Sequence, residues 1–560
     1  MQYAEFVSVY EEVAATTKRL EKTEILAKFL HKLEKHGRPE WIYLLRGRVL
    51  PDYDPKEFGI SIQLAIKALS TGWGIPSEKI IESYRKAGDL GDIAQELSGR
   101  KKQSSLFSEK LSVKKVYDNL QKLFLLEGKG SVDKKIACIA ELLANASALE
   151  AKYIVRTLLS DLHVGVADAI LVDAIAQAFY PEESMAEQIH DVYYIANDFA
   201  LLFSAAAKGK KSLNSISIVP GKPLNVMLPV KVKTLKEGFE ICGKPAALEH
   251  KYDGFRLLIH KQGNEIFLFT RKLENVTAQF PDVVRAVREF VKGDSFILDS
   301  EAVGYDPKTK KYKPFEAVSQ RIKRKYDIDK LIKALPVEVN VFDAVYYKGK
   351  SLMHIPFAER RKLVDSIVKP VKFVIRPSFQ LVTENERKGE DFYRKALAIG
   401  EEGIMIKKLD APYRPGRRVG FMVKMKPETK DLDLVITGAE YGTGKRAGGL
   451  TSFYVACVKG VGYYVEVGRG SSGLKEKEDT DGTSYTEMDK LLQPLITKEE
   501  GRYVKVKPKV IVSVAYQNIQ KSPRYSSGFA LRFPRITHYR PDYHIKDIAT
   551  LEDLEKEAKK

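Results

Sequence analysis

The sequence predicts a three-domain protein with an all-α region first, an α+β domain next and a small β-barrel last. Three observations lead to this prediction. The chain has 560 residues, which is more than one hydrophobic core can serve. Apolar residues recur at helical spacing in the first part of the chain, and short β-type runs dominate the rest. We therefore expect domains at residues 1–210, 220–427 and 428–560.

The first region, residues 1–210, is expected to be helical. Apolar residues repeat every three or four positions in TEILAKFLHKLEKH and VADAILVDAIAQAF, and no alternating strand pattern interrupts them. Residues 205–225, which are rich in Gly, Lys, Ser and Pro, are typical of a connector between domains. The pattern therefore predicts an all-α module joined to a second domain.

Strand-like runs such as FRLLIH, EIFLFT and SFILDSEAVGY follow one another closely in residues 220–427. Such spacing leaves no room for regular βαβ crossovers, so it predicts an α+β domain with an antiparallel core. From residue 432 onward, about five short strands alternate with Gly-rich turns. This pattern indicates a small β-barrel of the oligonucleotide-binding kind, the OB-fold.

Composition limits the partners and the environment. The chain has 93 Lys and Arg against 74 Asp and Glu, a formal net charge of +19, which favours nucleic acid first and an acidic membrane surface second. Cys138, Cys242 and Cys457 lack metal-binding spacing, which argues against a zinc site and against disulfides. No apolar run reaches the length of a membrane span. We expect a cytoplasmic protein without a membrane partner.

The segment LEHKYDGFRLLI, residues 248–259, contains the first candidate for chemistry. Lys251 ends an apolar, strand-like run and lies two residues before Asp253. In a partly dry pocket beside other cations, a lysine loses its proton more readily, and the neutral amine can attack phosphorus or a carbonyl carbon. A surface lysine in a turn is the alternative, and it is the more frequent case for a bare KxDG pattern.

Distant segments favour the chemical interpretation. Glu301 and Glu402 are acidic residues in apolar surroundings, which makes them candidate ligands for Mg²⁺ or a ribose hydroxyl. Phe342 lies in a strand and is a candidate for stacking on a purine. Lys424 and Lys426 alternate in FMVKMKP, so one strand face carries both, with room for a phosphate. Taken singly, each residue is also explained by a salt bridge, a core position or a solvated edge strand.

Together these segments resemble the covalent nucleotidyltransferase superfamily of ligases and capping enzymes. They match its motifs I, Ia, III, IIIa, IV and V in order and separation, with Lys251-Tyr-Asp-Gly-Phe-Arg256, Arg271, Glu301, Phe342-Asp343, Glu402-Gly403 and Lys424-Met-Lys426. More closely, the chain resembles archaeal, eukaryote-like ATP-dependent DNA ligases. That resemblance runs nearly end to end and includes residues 150–171, 220–228 and 520–536.

The resemblance implies an enzyme that seals 5′-phosphate/3′-hydroxyl nicks in duplex DNA through a lysyl-AMP intermediate, in replication, repair and recombination. It implies a helical DNA-binding domain, an adenylation domain and an OB-fold domain, in that order. Lys251 would be the nucleophile, and Glu301 and Glu402 would bind Mg²⁺. The residues expected to hold the nucleotide are Glu249, Arg256, Arg271, Glu301, Phe342, Arg418, Lys424 and Lys426. ATP is the expected nucleotide, with ADP and NAD⁺ as open alternatives.

A sixth motif of the family, which orients pyrophosphate for departure, lies near the end of the chain. Its residues here are Arg532, Arg535, Arg540 and Asp542. The chain departs from the family pattern at Tyr543, where lysine is expected, and at Met422, where tryptophan is expected. A phenol cannot replace an ammonium beside pyrophosphate, so we expect a slower first step or the use of another cation, such as Lys546.

The partner implied by the helical region and the basic charge is nicked duplex DNA, bound through phosphate contacts and duplex shape. Candidate contacts are Lys152, Arg156 and Gly165, and a solvated helix face is the alternative for the two cations. Residues 103–108, QSSLFS, are a candidate tether for a sliding clamp, and an ordinary exposed loop explains them as well. We expect a monomer that closes around DNA by hinge motion near residues 205–225 and 427–431.

Three other functions compete with this one. An RNA ligase or a GTP-dependent capping enzyme is disfavoured by the long helical region that precedes the catalytic motifs. A catalytically inactive DNA clamp is disfavoured because Lys251, Glu301 and Glu402 are all present. An NAD⁺-dependent ligase of the bacterial type is disfavoured because a four-cysteine zinc module is absent from the sequence.

Overall fold

The computed structural model describes the chain except for residues 101–109, 182, 314, 324–325, 428–429, 443–445, 447, 461, 477–482 and 559–560. The chain divides into two compact units. The first comprises Met1–Ser61, Ser105–Ala146 and Thr157–Pro427, and the second comprises Ile62–Ser104, Ser147–Arg156 and Glu428–Lys560. No helix formed by the described residues has both the length and the apolar character needed to cross a membrane.

The N-terminal third is helical, as its spacing predicts. Its α-helices are α1 (Tyr3–Ala14), α2 (Arg19–Glu34), α3 (Ile62–Trp73), α4 (Ser77–Ala87), α5 (Leu90–Leu97), α6 (Val113–Lys122), α7 (Ser131–Asn145), α8 (Ala148–Leu158), α9 (Asp168–Phe179), α10 (Glu183–Ala196), α11 (Phe199–Lys208) and α12 (Lys210–Asn214). The helices continue to Asn214 and so extend into residues 205–225, whose role as a connector between domains stays a prediction. Gly209, with φ +106°, separates α11 from α12 instead of ending the helical region.

Polar contacts hold the helices of the first unit in place. The side chain of Asp198 accepts a hydrogen bond from the amide of Leu201 and so caps α11. The ammonium of Lys22 in α2 donates to the carbonyl of Val164 at 3.0 Å. Asp198 therefore fixes where α11 starts, and Lys22 fixes α2 against the segment at Val164, while apolar stripes form the core.

The middle of the chain forms the predicted α+β domain. Its elements are β1 (Val230–Val232), α13 (Leu235–Cys242), β2 (Ala246–Lys251), β3 (Phe255–Gln262), β4 (Glu265–Thr270), α14 (Pro281–Phe290), β5 (Ser295–Gly304), α15 (Phe315–Lys323), α16 (Ile328–Ala334), β6 (Val337–Tyr347), β7 (Lys350–Ser351), α17 (Phe357–Ile367), β8 (Ile375–Pro377), β9 (Gln380–Thr383), α18 (Glu386–Ala398), β10 (Gly403–Lys408) and β11 (Met422–Met425).

Two sheets make up this domain. One has the order β1-β11-β10-β2-β9, and the other has the order β4-β3-β5-β6-β7 with β8 beside β6. The pairs β1/β11 and β6/β8 are parallel, and the remaining described pairs are antiparallel, so the predicted antiparallel core is confirmed. Leu257, Leu298 and Val341 are fully buried in the core of the second sheet. Both sheets hold the strands that carry the predicted catalytic residues.

The C-terminal part of the second unit is a strand-rich domain. Its elements are β12 (Lys430–Tyr441), β13 (Leu450–Gly460), β14 (Tyr463–Gly470), α19 (Tyr485–Leu492), β15 (Ile496–Glu500), β16 (Tyr503–Val506), β17 (Ile511–Tyr516), β18 (Ile519–Lys521), β19 (Phe529–Leu531), β20 (Arg535–Tyr539) and α20 (Leu551–Ala558). Seven strands join in one sheet, in which β12 pairs with β13, β16 and β17. This sheet is larger than the five strands expected, and closure into a barrel stays a prediction.

Candidate active site

Lys251 lies where the chain passes from one sheet of the α+β domain to the other. It is the last residue of β2, and β3 of the other sheet begins four positions later at Phe255. A Cβ on Gly254 would come within 2.3 Å of the carbonyl oxygen of Ala302 in β5. The glycine of the KxDG pattern therefore has a steric cause, because only glycine lets β3 start this close to β5.

A single carboxylate holds the amine of Lys251. Nζ of Lys251 lies 2.7 Å from Oε2 of Glu402, and Nζ of Lys426 lies 2.5 Å from the same oxygen. The amide of Glu402 also donates to the carbonyl of Lys251 at 2.9 Å. Burial raises the pKa of Glu402, but Lys251 and Lys426 outweigh it and hold that pKa below its usual value. Glu402 is thus a charged bridge between two ammonium groups.

Glu301 provides a second carboxylate near Lys251. Burial in β5 raises its pKa to about 7, although the charges of Lys251 and Arg256 act in the opposite direction. A carboxylate short of counter-charge at this position fits a cation such as Mg²⁺ or a hydroxyl donor. Among the described residues no group of three or more His, Cys, Asp or Glu forms a ready-made metal cage.

Cations gather around the amine from several segments that are distant in sequence. Burial lowers the pKa of Lys424, and the charges of Lys426, Lys251, Arg271 and Arg418 lower it further. The pKa of Arg271 is lowered in the same way, by burial and by neighbouring guanidinium groups. Positive groups that disfavour one another's charge are stabilised by an anion between them. The cluster is therefore suited to a polyphosphate.

Arg256, a predicted phosphate ligand, is held inside a buried ion pair. Its Nε and Nη2 donate to the two carboxylate oxygens of Asp299 at 2.9 and 2.6 Å, and its Nη1 donates to the carbonyl of Met227 at 2.7 Å. The hydroxyl of Tyr413 donates to the same carboxylate at 2.7 Å. The sequence analysis missed Asp299 and Tyr413. Asp299 lies in the same apolar strand as Glu301, so the criterion that selected Glu301 applies to it as well.

Glu249, expected beside the nucleobase, lies in a second buried cluster. Its carboxylate is 2.6 Å from Nζ of Lys407 and 3.0 Å from Nη1 of Arg361, and it accepts from Nε2 of the side-chain amide of Gln380 at 2.8 Å. The ammonium of Lys407 also lies 4.4 Å from the centre of the Phe342 ring. The structure therefore brings Glu249 and Phe342 together through Lys407, another buried lysine that the sequence analysis did not select.

Glu401, the residue before Glu402, is the third acidic group at this place. It is buried, and burial raises its pKa to about 8 even though the backbone amide of Asp253 lowers it. The contact with Asp253 ties the segment before β10 to the turn that follows Lys251. Glu401 was also missed, although GEEGIMIKK shows it next to the acidic residue that was chosen.

Comparison with known proteins decides the family. A model described as ATP dependent DNA ligase domain matches residues 226–426, and models of the DNA ligase N terminus and the ATP dependent DNA ligase C terminal region match residues 2–176 and 446–543. A DNA ligase of Nanoarchaeum equitans is 44% identical over 99% of this chain and 98% of its own length. The chain belongs to the ATP-dependent DNA ligase family. A DNA ligase of Thermococcus fumicolans is 40% identical over 99% of this chain and 98% of its own length.

The fold of this ligase-family member is also similar to a solved structure. The chain named Pmar-Lig_PreS3 superposes with a TM-score of 0.58 and 17% identity, over 95% of this chain and 99% of that chain. The predicted resemblance is thus confirmed for the family and for its architecture of a helical N-terminal region, a nucleotidyltransferase domain and a C-terminal sheet domain.

In the second unit of this ligase-family chain, Tyr543 packs on Arg540, one of the arginines predicted to form a sixth motif. The Cζ atom of Arg540 lies 3.4 Å from the centre of the Tyr543 ring, and Nε and Nη2 of Arg540 donate to Asp542 at 3.0 and 2.8 Å. Arg532 is largely buried, and Arg535 is exposed at the start of β20. The tyrosine that replaces the expected lysine therefore orients a cation instead of supplying one.

The candidate DNA contacts of this ligase-family chain lie in its helical part. Arg156 donates to Asp89 and Asp92 at 3.0 Å each, and the ammonium of Lys152 lies 3.3 Å from Asp92. Both cations are therefore paired with carboxylates rather than solvated, and their role in DNA binding stays a prediction. Gly165 has φ +75°, and its carbonyl accepts from Lys22 at 3.3 Å. The candidate clamp tether at 103–108 lies outside the described residues.

Proposed function

We propose that this protein seals 5′-phosphate/3′-hydroxyl nicks in duplex DNA with ATP, through AMP carried on Lys251. The observation that carries the proposal is the cluster around the amine of Lys251. Glu402 holds that amine at 2.7 Å, and Lys424, Arg271 and Arg418 supply positive charge nearby. A held amine beside an anion site is what attack on a nucleotide phosphate requires. Membership of the ATP-dependent DNA ligase family supports the same reaction.

In the first step, the ammonium of Lys251 gives one proton to water, and its nitrogen attacks the α-phosphorus of ATP and releases a second proton to water as the N–P bond forms. The new N–P bond forms as the bond from phosphorus to the bridging oxygen breaks, and pyrophosphate leaves with that electron pair. Glu402 fixes the direction of the amine, while Lys424, Lys426 and the nearby arginines stabilise negative charge on the phosphate oxygens. Glu301 is the side chain best suited to Mg²⁺, which when bound would supply further charge neutralisation. A ligand role for Glu402 would require Mg²⁺ to compete with its two ammonium partners.

Two further transfers complete ligation. An oxygen of the 5′-phosphate at the nick attacks the phosphorus of the lysyl-AMP, and the N–P bond breaks. The 3′-hydroxyl then attacks the 5′-phosphorus, AMP leaves, and a phosphodiester bond remains. The three transfers act on similar phosphate centres, so one cluster of cations can serve them in turn.

The C-terminal sheet would close as an OB-type barrel, and hinges near residues 205–225 and 427–431 would let the domains surround the duplex. We further propose a monomer that works in the cytoplasm, with replication, repair and recombination as its setting. Phe342 would pack on adenine beside Glu249, and ATP would be preferred over ADP and NAD⁺.

Intact mass spectrometry after incubation with Mg²⁺ and ATP, GTP, ADP or NAD⁺ in separate samples tests the first step. We expect one AMP on the wild type and on a control, Lys350→Ala, which removes an exposed lysine of β7. Lys251→Ala should gain none. The adduct-bearing protein should then seal a nicked DNA duplex after the free nucleotide has been removed.

The rival functions give different results in the same experiment. A GMP adduct would favour a capping enzyme, and sealing of a nicked RNA strand in place of DNA would favour an RNA ligase. If the folded protein, shown by mass not to carry AMP already, forms no adduct with any nucleotide but still binds DNA, it is a clamp without ligase activity.

A further inference from the structure

Two arginines in the loop between β10 and β11 are paired with acidic residues of α10. Arg417 donates from Nε to Asp191 at 2.8 Å and from Nη1 to the carboxylate of Glu187 at 2.9 Å. Arg414 donates from Nη1 to the other oxygen of Asp191 at 3.0 Å. Arg418, which follows Arg417 in the sequence, belongs to the cation cluster around Lys424. The loop therefore carries one arginine toward the active site and two toward the helical region.

The two sides of this contact are held differently. Backbone hydrogen bonds attach the loop to the α+β domain, because the amide of Gly416 donates to Val226 at 3.0 Å and the amide of Leu228 donates to Arg417 at 3.0 Å. Helix α10 contacts the two arginines through the carboxylates of Asp191 and Glu187 and through the backbone carbonyl of Glu187, which accepts from Nη2 of Arg417 at 2.9 Å. The side chains of Arg417 and Arg414 remain 22% and 41% exposed, so solvent screens these pairs. Exposed ion pairs cost little to exchange for other partners.

A cavity lies beside the ion pairs and leads toward the active site. Its volume is about 250 Å³, and its lining includes Asp168, His190, Tyr194, Gly416 and Arg271. His190 and Gly416 adjoin Asp191 and Arg417 in sequence, while Arg271 belongs to the cation cluster. Separation of α10 from the loop would open one wall of this cavity and uncover Arg271.

We propose that Arg414 and Arg417 bind backbone phosphates of duplex DNA, and that Asp191 and Glu187 take the place of those phosphates in the DNA-free protein. A guanidinium group presents the same paired donors to a carboxylate and to a phosphate, so one anion can replace the other without rearranging the arginine. The loop side is fixed by its backbone, so the phosphate site persists when α10 withdraws. This inference rests on the proposed function only in taking duplex DNA as the partner.

Binding of a fluorescent nicked duplex to the full-length protein, measured by anisotropy in EDTA at several salt concentrations, tests this exchange. Asp191→Asn and Glu187→Gln should bind about three- to tenfold more tightly, the change expected from removing one or two partly exposed ion pairs that compete with DNA. Asp118→Asn is the matched control, because it removes the same charge from an exposed pair with Lys114 in α6. It should leave affinity near the wild-type value.

The arginine variants must respond in the opposite direction. Arg417→Gln should weaken binding and lower the slope of log K against log salt by about one, as expected from the loss of one phosphate contact. In Asp191→Asn/Arg417→Gln the gain from Asp191→Asn should largely disappear, because the arginine that it would release is absent. Melting curves for each variant separate these effects from unfolding. If Asp191→Asn proves unstable, Glu187→Gln tests the same exchange, because the side chain of Glu187 is 71% exposed and its replacement should not affect folding.

Several outcomes would overturn the inference. Affinity unchanged in all of these variants would show that the pairs serve only to dock α10. An equal gain in DNA affinity for Asp118→Asn would show that the effect comes from the net charge of the protein and not from release of the loop arginines. A change confined to AMP-adduct formation would assign the arginines to ATP. Sealing of nicks by the wild type in a parallel assay keeps failure of this inference distinct from failure of the ligase function.

Discussion

Replacing Asp299 by Asn should destabilise the α+β domain and disturb the active site together. Asp299 is fully buried and accepts two hydrogen bonds from Arg256, whose side chain is only 13% exposed, and one from Tyr413. The amide would leave the guanidinium buried without its counter-charge. Loss of one partner of such a pair costs about 3–5 kcal/mol. We expect the free energy of unfolding to fall by that amount.

Two variants calibrate this value. Tyr413→Phe removes the hydrogen bond to Asp299, which should cost about 1.5–3 kcal/mol, together with a longer one that the hydroxyl accepts from the backbone amide of Met227 at 3.3 Å. Asp391→Asn makes the same chemical change in an exposed pair with Arg394. The side chains of Asp391 and Arg394 are 55% and 71% exposed, so this change should cost less than about 1 kcal/mol. Urea unfolding of the four proteins gives the differences from their midpoints and slopes. A cost for Asp299→Asn no larger than that for Asp391→Asn would refute the reasoning.

Three more predictions follow from the site. The rate of AMP-adduct formation should show a rise centred on about pH 7, where Glu301 ionises, and Glu301→Gln should remove that component from a pH series of initial rates. Because the pKa of Glu401 is raised to about 8 from an ordinary 4.5, the folded protein keeps a proton that the unfolded chain has lost between these values. Stability should therefore fall with rising pH across this window, by up to about 1.4 kcal/mol per pH unit, and thermal melting of Glu401→Gln should show a flatter dependence. Tyr543→Ala should slow adduct formation about three- to tenfold, because Arg540 loses the aromatic ring that it packs on. Tyr463→Ala, at an exposed tyrosine of β14, should leave the rate unchanged. Equal rates for Tyr543→Ala and the wild type in single-turnover assays would show that the stack on Arg540 has no part in the first step.

The residues that the sequence identified share a local signal. Lys251 and Glu402 stand out because each is charged within an apolar, strand-like segment, and the structure places their side chains 2.7 Å apart. Gly254 follows the lysine at a spacing that local turn chemistry already favours. Helical spacing predicted the N-terminal region, and closely spaced strands predicted the antiparallel sheets. Each of these patterns is contained within a few turns or strands of the chain.

The residues that were missed depend on partners far away in the sequence. Arg256 and Asp299 are 43 positions apart, and Glu249 and Arg361 are 112 positions apart. No local pattern indicates which buried lysine or arginine will neutralise a given carboxylate, because the register of the sheets decides it. In this chain Glu301 lies opposite Arg256, yet it is Asp299, two residues earlier on β5, that pairs with the arginine.

One principle joins the active site to the loop arginines. The chain has a net charge of +19, yet two lysines of the active site and two arginines of the loop between β10 and β11 are paired with acidic side chains of the same chain. Glu402 holds Lys251 and Lys426, and Asp191 holds Arg414 and Arg417. Such carboxylates order the cations before any nucleic acid arrives and limit their mutual repulsion.

The difference between these two pairings lies in how readily each can be exchanged. The carboxylate of Glu402 is only 11% exposed, so it should remain with Lys251 when a phosphate binds. Asp191 is 28% exposed and faces arginines on a loop surface, where screening makes replacement inexpensive. We infer that burial separates the carboxylate that positions the nucleophile from those that give way to DNA. Glu402→Gln should accordingly impair AMP-adduct formation, whereas Asp191→Asn should alter DNA affinity and leave the adduct rate unchanged.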